Sequence, residues 1–310
     1  MISDLFSVTV LLGIISSGIR LATPYLFASI GEAFSQRSGV LNLGVEGQMI
    51  LGAFFAFYAV VNTNNLWYGV LAGMGVGALM GLAMAFVTIN LHAKQGISGI
   101  GFFLFGLGMS NLLFQTLVGT VETVSGFPKL EIPVLSQIPL IGQIFFNQNA
   151  LVYLAFLLVP IGSFVLNKTN LGLKIRAVGE YPEAADSLGV SVAKVRYFTV
   201  IFGGIMSGLA GASLSIALLN VFQLGMTAGQ GFIAVALVYF GAWRPWGVLA
   251  GALLFSMING LQLWIQVLGI PIPSQFAVMM PYVLTIVVLA ASGSKFKAPS
   301  ALTKPFEREG

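Results

Sequence analysis

The chain has no cysteine, one histidine and very little charge: only 8% of its 310 residues are Asp, Glu, Lys or Arg. Without cysteine there is no disulfide, thiolate metal site or thiol nucleophile. The single histidine, His92, has no H-E-x-x-H neighbour, so zinc hydrolysis of that kind is excluded. No G-x-x-x-x-G-K-[ST] phosphate loop occurs, and the chain has no such ATP site of its own. A Gly-x-Ser-x-Gly elbow is also missing, as is any pair of membrane carboxylates suited to acid–base work. These gaps argue against an enzyme and leave neither a metal site nor a cofactor bound by this chain.

Apolar sequence fills the space. Hydrophobic residues make up 57% of the chain and the mean hydropathy is +0.95, whereas a soluble domain of this size carries about a quarter charged residues. Apolar runs near spanning length recur at 8–30, 40–61, 66–91, 96–119, 150–166, 197–219, 231–243, 246–268 and 275–292. The expected fold is an all-α polytopic membrane protein of about eight to ten helices, with 1–310 forming one transmembrane domain. Segment 231–243 is short for a full crossing, which suits a re-entrant or broken helix. The alternation of a transmembrane β-barrel is missing. Thirty-eight glycines suit close helix packing in lipid.

The net charge of +4 and pI near 9.4 do not point to nucleic acid, because the cations gather in loops that share one side. Placing 167–196 in the cytoplasm puts Lys168, Lys174, Arg176, Lys194 and Arg196 there. Alternation adds Arg37, Lys94, Arg244 and the tail cations of 293–310, and leaves only Lys129 outside. The expected placement is a multi-pass cell-membrane protein with a cytoplasmic C-terminus. Asp4 and Arg20 do not suit a cleavable signal.

The sequence also repeats. "AFFAFYAVVNTNNLWYGVLAG" (53–73) aligns without gaps to "GFIAVALVYFGAWRPWGVLAG" (231–251), with eight of 21 positions identical. The charges place the first turn outside, near Asn64, and the second inside, near Arg244. An inverted internal repeat follows.

Residues 167–196, "NKTNLGLKIRAVGEYPEAADSLGVSVAKVR", are the longest polar segment. Thr169 or Asn170 caps an expected helix over Leu171–Val178, which Gly179 then breaks. Pro182 opens a second helix with Glu183 and Asp186 in its first turn, where negative charge suits the dipole. Gly189 ends that helix, and a third short one opens at Ser191. Ala184, Ala185, Leu188 and Val190 are expected to form an exposed apolar docking patch.

"EAADSLG" (183–189) resembles the EAA-x3-G loop by which ABC importer permeases seat in their ATPase subunits. "FSQRSGVLNLGVEGQMILGAF" (34–54) is similar to the F-S-E-R-S-G-V-x-N-I-G-x-E-G signature of nucleoside permeases, in the importer branch that includes ribose and branched-chain amino-acid permeases. The likeness extends over 169–197 and "GQGFIAVAL" (229–237). No Leu-Pro follows the loop as in maltose-type permeases, which argues against that fold.

The resemblance implies a permease subunit of an ATP-driven importer, with nucleosides as cargo and ribose or another simple sugar as the alternative. It also implies an ABC ATPase carrying ATP and Mg, a second and related permease in a heterodimer, and a substrate-binding lipoprotein or periplasmic protein. An ion-coupled secondary transporter is the rival class, with Arg20, Glu32 and Glu46 as its few membrane ionisable residues. Gly172, Arg176, Gly179, Glu183, Ala184, Ala185 and Gly189 are the expected ATPase-coupling residues. Asn42, Glu46, Asn111, Gln115, Asn259 and Gln262 are candidates for the translocation path. Arg20 in the first span should face protein and pair, with Glu46 or Glu32 as the natural partner.

Overall fold

The computed structural model describes residues 7–131, 133, 136, 138, 141–268, 275–276, 279–280, 282–283, 286–287, 290 and 297–307. Seven long apolar helices are present among them: α1 (Val8–Arg37), α2 (Val45–Thr63), α3 (Leu66–Ala85), α4 (Gln95–Leu117), and, after a small hairpin, α6 (Ala150–Lys168), α9 (Val192–Ser213) and α11 (Pro245–Val267). The hairpin pairs β1 (Lys129–Glu131) with β2 (Asn147–Asn149), and the one-turn α5 (Ile141–Phe145) lies between them. Single π-turns, Phe86–Asn90 and Leu214–Leu218, prolong α3 and α9. The expected span 275–292 lies largely outside the described residues.

The short segment is a half-helix. α10 (Gln230–Phe240) has 11 residues, about 17 Å at 1.5 Å per residue, against a hydrocarbon layer of about 30 Å. The hairpins α2–α3 and α10–α11 match the two copies of the repeat. Trp243, in the second turn, bonds Gln36 at the end of α1. α2 starts beside that same end and runs away from it, so the two turns lie at opposite ends of the molecule.

α9 forms the centre and packs on α1, α2 and α3. Small residues on its faces allow this: a methyl on Gly208 would overlap the Gly73 carbonyl, and one on Gly211 the Met49 carbonyl. In lipid, where tails are as apolar as leucine, the van der Waals packing that such close backbone contact allows helps drive helix association. Phe27, Phe54, Phe57 and Phe222 fill the space around it and are fully buried.

The 167–196 segment forms α7 (Asn170–Glu180), α8 (Pro182–Ser187) and the start of α9. Thr169 Oγ1 accepts from Gly172 N at 3.2 Å, Pro182 opens α8, and Ser191 Oγ accepts from Lys194 N at 3.5 Å. Three expectations change. The third short helix is the first turn of α9, because nothing after Val192 interrupts helical bonding. Gly179 does not break α7; it lies against the Arg37 carbonyl, where a side chain would overlap. Ala185 is buried at 4% exposure, while Leu188 is 83% exposed.

Tail residues 297–307 fold back onto this end. Ala301 N donates to Gly179 O at 2.9 Å, Thr303 N to Gly39 O at 3.1 Å, and Arg196 Nη1 to Lys304 O at 3.1 Å. The tail and the 167–196 segment therefore share one end of the bundle.

Candidate functional site

The α1–α2 connection turns back into the bundle, and side chains of α1, α2, α4 and α9 meet several of its polar groups. Asn42 N donates to Glu32 Oε1 at 3.0 Å, Asn42 Oδ1 accepts from Gly44 N at 2.9 Å, and Asn42 Nδ2 donates to Gln48 Oε1 at 3.1 Å. Leu41 N reaches Gln95 Oε1 of α4 at 2.8 Å, and Ser38 O accepts from Arg196 Nε of α9 at 3.2 Å. Irregular backbone at membrane depth needs this kind of enclosure. Asn42 is fully buried and serves this loop.

The loop delivers Glu46, in the first turn of α2, to the start of α10. Its Oε1 accepts from Thr227 Oγ1 at 2.6 Å and Gly229 N at 2.8 Å, and its Oε2 from Gly231 N at 2.6 Å. A half-helix beginning inside the bundle has free N–H groups and a positive dipole end, and a carboxylate meets both needs. Gly229, at φ +82°, turns the chain into α10, and Gly231 lies so close to Glu46 that a methyl there would sit 2.5 Å from its backbone. Glu46 is 4% exposed.

The expected pairing of Arg20 with Glu46 or Glu32 does not form: among the described residues no ion pair joins Arg20 to either. Glu46 is committed to α10, and Arg20 lines a different cavity with Ser16, Ser17 and Lys129.

Beside the α10 start is a cavity of about 230 Å³. Its polar lining includes Gln230, Asn259 and Gln262, and its aromatic lining Tyr25, Phe255 and Tyr282. Asn259 Nδ2 donates to Tyr25 Oη at 3.3 Å, and Tyr282 Oη donates to Ala228 O at 3.3 Å. Gln230 Oε1 is buried without a partner. Asn259 and Gln262 thus meet in one cavity, with Glu46 fixing its edge. Asn111 and Gln115 stand on α4 and are not among its lining residues; Asn111 is half-buried and Gln115 exposed.

Tyr25, Thr227, Gln230 and Tyr282 were not among the residues expected from sequence. The signal for the α10 start was the run Gly225, Gly229 and Gly231 around Thr227, three glycines leading into an apolar stretch too short to span.

At the other end, the surface offered by α7 and α8 consists of exposed Leu171, Leu173, Tyr181, Glu183, Ala184 and Leu188. Arg176 is half-buried there; Gly172 and Gly179 are buried, and Gly189, at φ +83°, turns the chain after α8.

Comparison with known proteins shows what carries this arrangement. The family described as the permease component of branched-chain amino acid transport systems matches residues 14–289. A putative glucose ABC transporter permease of Haloferax volcanii is 39% identical, covering 96% of this chain and 98% of its own. A nucleoside ABC transporter permease of Lactococcus lactis is 38% identical over 93% and 94%, respectively. A guanosine ABC transporter permease of Bacillus subtilis is 36% identical over 94% and 96%. No solved structure matches.

Proposed function

Because the chain belongs to the family of permease components of branched-chain amino acid transport systems, and is thus a membrane subunit of an ABC transporter, we propose that it imports nucleosides. The observation that carries this reading is the cavity at the α10 start, which pairs flat aromatic faces with amides. A base stacks on Tyr25, Phe255 or Tyr282, as ring faces prefer offset or edge contact at 4.5–7 Å or so. Ribose hydroxyls and base edges bond Gln230, Asn259 and Gln262. Two of the three relatives above are named for nucleoside or guanosine transport.

In this reading Glu46 is a brace and not a lining group. It fixes α10 to α2, so any tilt of α2 moves Ala228 and Gln230 at the cavity wall. The 167–196 segment lies in the cytoplasm with the tail and receives the ATPase, which carries ATP and Mg. A second, related permease completes the path, and an extracytoplasmic binding protein delivers the cargo. Arg176 and Glu183 contribute charged contacts to the ATPase, and Tyr181 and Leu188 apolar ones.

Uptake of labelled guanosine by cells with and without the gene tests the cargo. Unlabelled nucleosides are expected to compete, and ribose, glucose and leucine to leave uptake unchanged. The relative named for glucose makes a sugar the second reading, and competition by glucose or ribose in place of nucleosides would establish it. Uptake that collapses with the ion gradient while ATP remains would overturn the ABC mechanism.

The coupling surface has its own test. Ala184 is exposed whereas Ala185 is packed inside, so Ala184→Asp alters the surface without disturbing the fold. It is expected to lower uptake about tenfold or more with normal amounts of protein in the membrane. Unchanged uptake and unchanged ATPase stimulation would remove this segment from the coupling role.

A further inference from the structure

Among the described residues, cations avoid the end opposite the 167–196 segment, with two exceptions. Arg20 comes from the α1 interior and Lys129 from β1, and both line one cavity of about 570 Å³. Ser16, Ser17, Asn147, Leu12, Ile144 and Trp264 are also part of its wall. Among the described residues neither cation makes an ion pair or a side-chain hydrogen bond, although like charges brought together repel. Glu131 shares a face of β1 with Lys129, yet it neither lines the cavity nor pairs with either cation. Asn147 Oδ1 is buried in the same wall without a partner.

The cavity lies at a membrane boundary. Trp264 is 19 residues along α11 from Pro245, about 28 Å at 1.5 Å per residue, close to the ~30 Å hydrocarbon thickness. Trp is a usual residue of that interface. Gly13 packs against the Trp264 ring, so α1 crosses α11 at this level. Helical side chains lean toward the N-terminus, which for α1 is this same end. Arg20 therefore extends its guanidinium toward the boundary, as long cationic side chains do.

We propose that this cavity binds the phosphate of an anionic phospholipid. Arg20 and Lys129 hold the phosphodiester oxygens, a geometry that suits guanidinium well. Ser16 and Ser17 offer hydroxyl donors, and the free Asn147 carbonyl accepts from a headgroup hydroxyl. Leu12, Ile144 and the Trp264 ring receive the glycerol and the first acyl carbons. An uncompensated arginine in a membrane helix is costly, and the lipid phosphate supplies its counter-charge. The bound lipid also ties α1, α11 and the β1–β2 hairpin together beside the transport path.

The test uses the full-length chain with its co-purifying subunits in mild detergent. Native mass spectrometry then follows titration with phosphatidylglycerol, and separately with inorganic phosphate as competitor. A one-lipid adduct is expected that survives the same concentration of inorganic phosphate. Lys129→Gln, on an exposed strand where folding is not at stake, is expected to weaken the adduct about three- to tenfold. Adding Arg20→Gln should remove it, and Arg20→Lys should restore part. Equal adducts in the wild type and the double variant would overturn the site. Displacement by inorganic phosphate at matched concentration would overturn the lipid and leave a free-anion site.

Discussion

The two repeat hairpins carry the same Gly-Val-Leu-Ala-Gly run, and its first glycine packs inside the hairpin in each. Gly69 packs against Val60 and the Ala56 carbonyl within α2–α3, and Gly247 packs against Gly241 within α10–α11. The helices leading into those hairpins differ. α2 has 19 residues, is mostly buried, and brings a carboxylate in its first turn. α10 has 11, begins inside the bundle, and has no side-chain cap of its own. The carboxylate of the first copy caps the second. One motif thus closes both hairpins, while the difference in helix length creates both the break and the cavity beside it.

The comparison breaks most completely at Glu46. Glu46→Ala leaves Thr227 and two backbone N–H groups without an acceptor, in a site that is 4% exposed. Each bond to a charged group contributes about 1.5–3 kcal/mol, so a drop in uptake of more than ~100-fold is expected. Glu46→Gln keeps one acceptor oxygen but sets an amide donor against a backbone donor, and should fall between the two. Uptake by Glu46→Ala within about twofold of wild type would show that α10 needs no cap.

Much of this architecture is local and could be read from the chain. Thr169, Pro182 and Ser191 act within four residues of themselves, and all three open helices as expected. The shortness of 231–243 is likewise a local property and marks α10. Glu46 was legible as an anomaly but its partner was not, because Thr227 is 181 positions away and offers a hydroxyl where an arginine was sought. Ala185 was misplaced because α8 is only six residues long, too short for periodicity to tell its inner face from its outer one. Asn259 and Gln262 were named singly; that they share a cavity with Tyr25 depends on the crossing of α1 and α11.

A smaller effect is expected at the second turn. Trp243 has φ +55° and 4% exposure, and its Nε1 donates to Gln36 Oε1 at 2.8 Å. Its carbonyl accepts from Arg37 Nε at 3.1 Å, a bond that survives side-chain substitution. Trp243→Phe keeps a ring against Tyr239 but leaves the buried Gln36 carbonyl unmet, at about 1 kcal/mol. A several-fold loss of uptake is expected, measured at equal amounts of membrane protein, because this turn ties the half-helix to the end of α1. Wild-type uptake would mean that the Arg37 bond alone suffices.

The least effect belongs to the matching turn of the first copy. Asn65 caps α3 through Oδ1, which accepts from Trp67 N at 2.9 Å, and residues 62–65 are exposed. Asn65→Ala removes a cap in contact with solvent, where water replaces the lost acceptor, at about 0.5–1 kcal/mol. No helix end or loop of the site depends on it. Uptake should remain at the wild-type level, with only a slight fall in the thermal midpoint of the purified protein. The turns occupy equivalent places in the repeat, so a loss as large as that of Trp243→Phe would contradict the division of labour between them. It would mean that the exposed turn also holds a partner, and that the asymmetry of the two hairpins is confined to α2 and α10.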